Sequence, residues 1–138
     1  YVHQDLHEMA LYPCAYSMTF NVTKKPGHDK LTLNAILNQR SQDILAANNW
    51  NVCQYAALLI MFAKSTGFEP GELVHVIADA HIYDRHIDAV KRLIEKKPYP
   101  APEMQVEDIT DFYKFTKNSF TAVDYKYHEF TDKIPVAI

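Results

Sequence analysis

Two helical periodicities set among several short extended runs predict a mixed α and β (α+β) domain, a mixed β-sheet packed with long helices. The first observation is a pair of extended runs, Tyr16–Val22 and Leu31–Leu37, separated by Lys24-Lys25-Pro26-Gly27, which predicts a β-hairpin. The second is a stripe at helical spacing, Val52, Tyr55, Ala56, Leu59, Ile60 and Ala63, followed by Gly67 as a C-terminal stop. The third is the succession of strand-like Glu72–Ala78 and a second helical pattern.

Each element has its own warrant. In the hairpin, Leu31, Leu33, Ala35 and Leu37 alternate at period two, which buries one face of a strand. Asn49 can cap the first helix, whose stripe should be core. Leu73, Val74, Val76 and Ile77 form the next strand, leading into Asp79-Ala80-His81-Ile82-Tyr83. The second helix carries Ile87, Val90, Leu93 and Ile94 and should run to Lys97, because Lys96-Lys97 suit the negative end of the helix dipole and Pro98 stops it. Pro98, Pro100 and Pro102 then stiffen a connector into strands at 103–106 and 120–127.

Composition narrows the partners. Fourteen Lys plus Arg against 17 Asp plus Glu leave a net charge of -3, which argues against binding DNA by charge alone. No window reaches the roughly 18 apolar residues of a membrane span, and a cytoplasmic setting is expected. Cys14 and Cys53 are too few for a disulfide framework in a chain of this length, so each thiol is read separately.

Three segments carry possible chemistry. Pro13 fixes an extended entry for Cys14, which can present a thiol to a cleft, although taken alone a small buried residue is the commoner reading. In Gln39-Arg40-Ser41-Gln42-Asp43 a guanidinium and a hydroxyl can share phosphate oxygens while acceptors read N–H groups. Asp79 to His86 is the densest polar cluster; His81 and His86 lie five apart, about 140° around a helix, which does not suit a shared metal. His81 and Tyr83 at a strand-to-helix turn are better placed to bond a ligand hydroxyl.

The order of these motifs is more telling than any one of them. Pro13-Cys14 at a strand start, then Gln39-Arg40-Ser41 with Asp43, then Asn51, then Asp79-x-His81-Ile82-Tyr83, and finally Pro135-Val136-Ala137-Ile138, together resemble the thymidylate synthase family. The resemblance reads residues 1–138 as the C-terminal, nucleophile-bearing portion of a single catalytic domain of that fold, without its N-terminal part. It implies a methyltransferase that converts dUMP to dTMP with 5,10-methylenetetrahydrofolate as carbon and hydride donor, through a covalent Cys14 adduct at uracil C6, with no metal. Cys14, Arg40, Asp43 and Asn51 would be catalytic. Arg40, Ser41, Gln42, Asp43, Asn51, His81, Ile82 and Tyr83 would hold the nucleotide, with Arg40 also favouring the thiolate. Leu11, Asp43, Trp50, Ala137 and Ile138 would hold the folate. The family is an obligate homodimer in which arginines of the other subunit reach the phosphate.

Three positions depart from the family pattern: Ala15 follows the nucleophile where many members have His, Asn49-Trp50-Asn51 replaces Pro-Phe-Asn, and Ala47 stands where Gly is usual. Two alternatives stay open at this point. One is a pyrimidine nucleotide hydroxymethylase of the same superfamily, disfavoured because cytidylate-acting relatives tend to carry Asp where Asn51 stands; the other is a non-catalytic, partner-binding half-domain.

Overall fold

The computed structural model describes residues 3–135. Strands β1 (Ala15–Thr23) and β2 (Thr32–Gln39) form the antiparallel hairpin, in register from Thr23 opposite Thr32 to Ala15 opposite Gln39, with a bulge between Ala15 and Ser17. After β2 the chain makes a two-residue strand, β3 (Gln42–Asp43), then helix α1 (Asn48–Thr66), and returns as β4 (Glu69–Ile77) parallel to β2. A helical crossover is what a parallel neighbour requires. The resulting sheet has the order β1-β2-β4.

The core lies where α1 covers one sheet face. Leu33, Ala35, Leu59 and Ala63 are buried there, flanked by Met18, Phe62, Phe68 and Leu73. Phe62 meets Phe20 edge-on at 5.1 Å and stacks on Phe112 at 4.9 Å. The opposite face is uncovered, with Ile36 and its register partner Val74 both exposed, and Val76 beside them. At the far end of the sheet Gly71 sits against Asn34, Thr32 and the Leu33 carbonyl, where β2 and β4 slip register.

Beyond the sheet, β2 and β4 stay side by side. Ala78 N–H donates to Gln39 O (3.0 Å), Gln42 N–H to Asp79 O (2.8 Å) and Ile44 N–H to His81 O (3.0 Å). These bonds zip β3 to β5 (Ala80–His81) as a second, two-residue parallel ladder. A 3-10 turn, Asp84–His86, then enters α2 (Ile87–Ile94), and β6 (Glu103–Val106) pairs antiparallel with β7 (Phe120–Val123).

Among the described residues the segment after β7 forms no ladder, and it is strapped to α2 and its flanks by polar contacts. His128 Nε2 donates to Lys97 O (2.8 Å), Lys96 Nζ to Glu129 O (3.0 Å) and His86 Nε2 to Pro135 O (2.9 Å). Arg92 makes two bonds to Asp132, at 3.3 and 2.7 Å.

Four boundaries differ from expectation. Asn49 does not cap α1: the helix starts at Asn48, and the chain reversal is made earlier, where Asp43 Oδ1 accepts the N–H groups of Leu45 and Ala46, both at 3.0 Å. The α1 stripe is core only in its second half, since Val52 is exposed while Leu59 and Ala63 are buried. Helix α2 ends at Ile94, short of Lys97, because Lys96 N–H closes a tight turn onto Leu93 O and the Lys97 carbonyl is taken by His128. Strand β7 stops at Val123, since Asp124 adopts φ 57°, a left-handed conformation that breaks the extended run. Gly67 does stop α1, at φ 73°, with its N–H returned to the last turn.

Candidate active site

The zipped ends of the two parallel ladders bring the sequence motifs to one place. A cavity of about 210 Å³ is lined by Leu11, Cys14, Gln39, Arg40, Ser41, Gln42, Asp43, Ala47, Asn51, His81 and Tyr83. Leu11 and Cys14 come from the lead-in to β1, 39–43 from the β2–β3 junction, Asn51 from the first turn of α1, and His81 and Tyr83 from β5 and the turn after it. Ligand sites beyond the carboxyl ends of parallel strands are the general expectation for such topology.

Cys14 is half-buried and unpaired. Its segment is fixed from both sides by Arg40, whose backbone N–H donates to Cys14 O (2.9 Å) and whose Nη2 donates to Tyr12 O (2.6 Å). Among the described residues Arg40 makes no hydrogen bond to the Cys14 sulfur. Asp43 spends one carboxylate oxygen on the turn into α1. His81 stands edge-on to Tyr83 with ring centres 5.0 Å apart; its Nδ1 is buried without a hydrogen bond, 3.4 Å from Asp79 Oδ2. Tyr83 in turn lies edge-on to the buried His86 at 5.6 Å.

The floor of the cavity is a buried amide cluster. Gln39, 2% exposed, donates through Nε2 to Ser41 O (2.8 Å), to Gln42 Oε1 and to Asn51 Oδ1 (3.3 Å), while its Oε1 accepts from His75 Nε2 (3.1 Å). Burial lowers the pKa of His75 and so favours its neutral ring.

Some expected residues lie elsewhere. Trp50, 79% exposed, lines a second hollow of about 640 Å³ with Asn49, Cys53, Gln54 and Tyr125, and Ile82 is exposed outside the main cavity. Trp50 turns away because it follows Asn49 on the outer side of the first turn of α1, whereas Asn51 faces inward. Ala137 and Ile138 lie outside the described residues. Among the described residues no group of three or more His, Cys, Asp or Glu side chains is arranged to hold a metal ion. No helix there is long and apolar enough to cross a membrane.

Gln39, Ala47 and His75 were not among the expected site residues. A signal for two of them exists: Gln39 continues the buried alternation Leu33, Ala35, Leu37, and His75 follows Leu73 on the inward face of β4. A polar side chain in a buried apolar register needs a partner, and these two partner each other.

A family model described as thymidylate synthase matches residues 1–138. The chain is 40% identical over 124 residues to thymidylate synthase of Bacillus subtilis subsp. natto, covering 89% of this chain and 42% of that protein. It is 38% identical over 128 residues to thymidylate synthase of Saccharomyces cerevisiae, covering 90% of this chain and 42% of that one. The solved structure of thermostable thymidylate synthase A from Bacillus subtilis superposes with a TM-score of 0.79 at 38% identity, over 98% of this chain and 46% of that one. The chain thus spans less than half the length of these relatives.

Proposed function

The chain belongs to the thymidylate synthase family, and from that premise we propose that its cavity is the nucleotide site of a methyltransferase converting dUMP to dTMP. The observation that carries the reading is the convergence of Cys14, Arg40, Ser41, Asn51, His81 and Tyr83, from four separate chain segments, on one cavity. In this reading the Cys14 thiolate adds to uracil C6, and the ring electrons move toward C5 and O4, so that C5 becomes the nucleophile. Arg40 and Ser41 receive the phosphate, with Arg40 also pinning the cysteine segment through Tyr12 and Cys14. The Asn51 amide reads the uracil edge, Gln42 and Asp43 border the base, and His81 and Tyr83 bond the ribose hydroxyl. The cosubstrate, 5,10-methylenetetrahydrofolate, supplies the carbon and the hydride. In this reading the folate lies beside the nucleotide, with Leu11 and Asp43 at the boundary.

The reading includes a homodimer in which arginines from the other subunit reach the phosphate, and a cytoplasmic setting. The uncovered sheet face supports the dimer, because exposed Ile36, Val74 and Val76 lie side by side on an otherwise ordered surface. Incubating the intact protein with 5-fluoro-dUMP and the folate should yield a covalent ternary adduct, located at Cys14 by mass spectrometry. If C14S formed the adduct equally well, the nucleophile assignment would be wrong. Sedimentation of V74E should show loss of the dimer; an unchanged dimer would move the interface elsewhere.

A further inference from the structure

The segment after β7 is laid along α2 by ties that run in opposite order on the two sides. Positions 128, 129, 132 and 135 meet Lys97, Lys96, Arg92 and His86 in turn, so the segment runs antiparallel to the helix. Its last tie falls at the turn that supplies Tyr83 to the cavity. That tie depends on one ring. His86 is 2% exposed, and the bond from its Nε2 to Pro135 O at 2.9 Å is the only one the ring makes among the described residues, since Nδ1 is buried without a partner. Pro135 has no N–H to offer in return.

The same ring packs behind the cavity wall. His86 N–H closes the turn on Tyr83 O at 2.8 Å, and the two rings stand edge-on, 5.6 Å apart at 77°. Tyr83 is also edge-on to His81, at 5.0 Å and 82°. His81 and Tyr83 line the cavity and His86 does not. Tyr83 is 40% exposed, and its hydroxyl makes no hydrogen bond among the described residues, which leaves it available to a ligand. A row of three rings therefore runs from the cavity to Pro135. A ligand bond that fixes Tyr83 fixes the surface against which His86 packs, and seating Pro135 fixes the same ring from its other end. Each event removes freedom that the other would otherwise have to remove, so the two reinforce each other.

We propose that His86 is a positioning residue that couples them: a ligand hydroxyl bonded at Tyr83 seats residues 129–135 on α2, and the seated segment holds Tyr83 for the hydroxyl. The inference rests on the nucleotide-site reading above and deepens it.

The test uses the intact protein. Lys133 is exposed between the ties at 132 and 135, and trypsin cuts after it when the segment lifts from the helix. Brief digestion is followed by mass spectrometry, with and without nucleotide at saturation. Bound dUMP should slow the cut about tenfold, the scale of one hydrogen bond of about 1.4 kcal/mol. The 2',3'-dideoxy analogue, which lacks the hydroxyl, should leave the cut near its rate in the free protein, and equal protection by both nucleotides would overturn the proposal with no variant needed. H86F keeps a ring against Tyr83 without the donor, and H86Q keeps an N–H without the ring; in both, the ratio of cutting rates without and with dUMP should fall toward one. A merely structural role would speed cutting in both states and leave that ratio unchanged, which would also overturn the proposal. Failure of the unmodified protein to bind dUMP in calorimetry would instead refute the nucleotide site, and the inference with it.

Discussion

Replacing Gly71 by alanine would place a methyl group where β4 touches the central strand β2. The added Cβ would lie 2.2 Å from Asn34 Oδ1, 2.6 Å from Thr32 Cγ2 and 2.9 Å from the Leu33 carbonyl, all well inside contact distance. Asn34 must retreat by more than about 1 Å, and its side chain is already committed: Oδ1 accepts Glu72 N–H at 3.0 Å and Nδ2 donates to Thr23 Oγ1 at 3.0 Å. Losing one or both bonds costs about 0.5–1.5 kcal/mol each. The Leu33 carbonyl belongs to a buried strand and cannot yield without opening the β2–β4 ladder, which adds an overpacking cost of about 1–3 kcal/mol. G71A should therefore destabilise the intact protein by about 2–4 kcal/mol. With an m-value of about 2 kcal/mol/M, its urea midpoint should fall by about 1–2 M at fixed protein concentration. Since N34A removes the closest obstacle, G71A should cost at least about 1 kcal/mol less in that background. A G71A loss below about 0.5 kcal/mol, or equal losses in both backgrounds, would refute the steric reasoning.

Other outcomes follow from single contacts. L59A should lose about 2–5 kcal/mol in urea unfolding, because Leu59 is 2% exposed in the cluster between α1 and the sheet. D43A should lose about 1 kcal/mol by orphaning the Leu45 and Ala46 N–H groups, and D43N should retain most of that; equal loss in both would assign the effect to charge. His75 has its pKa lowered in the fold, so the unfolded chain takes up its proton first as pH falls. Its contribution to stability should be complete above the ordinary value of 6.5 and fade as pH falls below it toward the lowered folded value. Urea midpoints at about pH 7.5 and about pH 5 should therefore differ less in H75L than in the unmodified protein.

The hairpin and the end of α1 were legible because their signals are local. Alternation from Leu33 to Leu37, with Leu31 left exposed ahead of the strand, and a left-handed glycine at 67 act within a few residues of themselves. The start of α1 was not, because Asn49 falls inside the helix, whose N-cap position is Ala47 without a side-chain cap, while the chain reversal is made upstream by Asp43 on the Leu45 and Ala46 N–H groups. The end of α2 failed for a longer-range reason, since the Lys97 carbonyl is used by His128, 31 residues away. In the cavity, charged and nucleophilic residues were readable from type and order, whereas the Gln39–His75 pair joins positions 36 apart and depends on the register of a parallel crossover. Trp50 shows the converse: adjacency to Asn51 in sequence does not bring it to the same hollow, because neighbours on a helix point about 100° apart.

The strap over α2 divides its attachment unequally between holder and held. At Glu129 and Pro135 it contributes only main-chain oxygens, which every amino acid carries, while Lys96 and His86 must supply a donor of the right reach. Side chains at 129 and 135 are thus at liberty to drift without moving the segment, and replacements at 86 or 96 displace it whatever its own sequence. Positions 128 and 132 are bound by type, His128 through its bond to the Lys97 carbonyl and Asp132 through the paired bonds to Arg92. Variation at 129 and 135 therefore says little about where the segment lies, and variation at 86 and 96, at the two ends of the helix beneath, says a great deal.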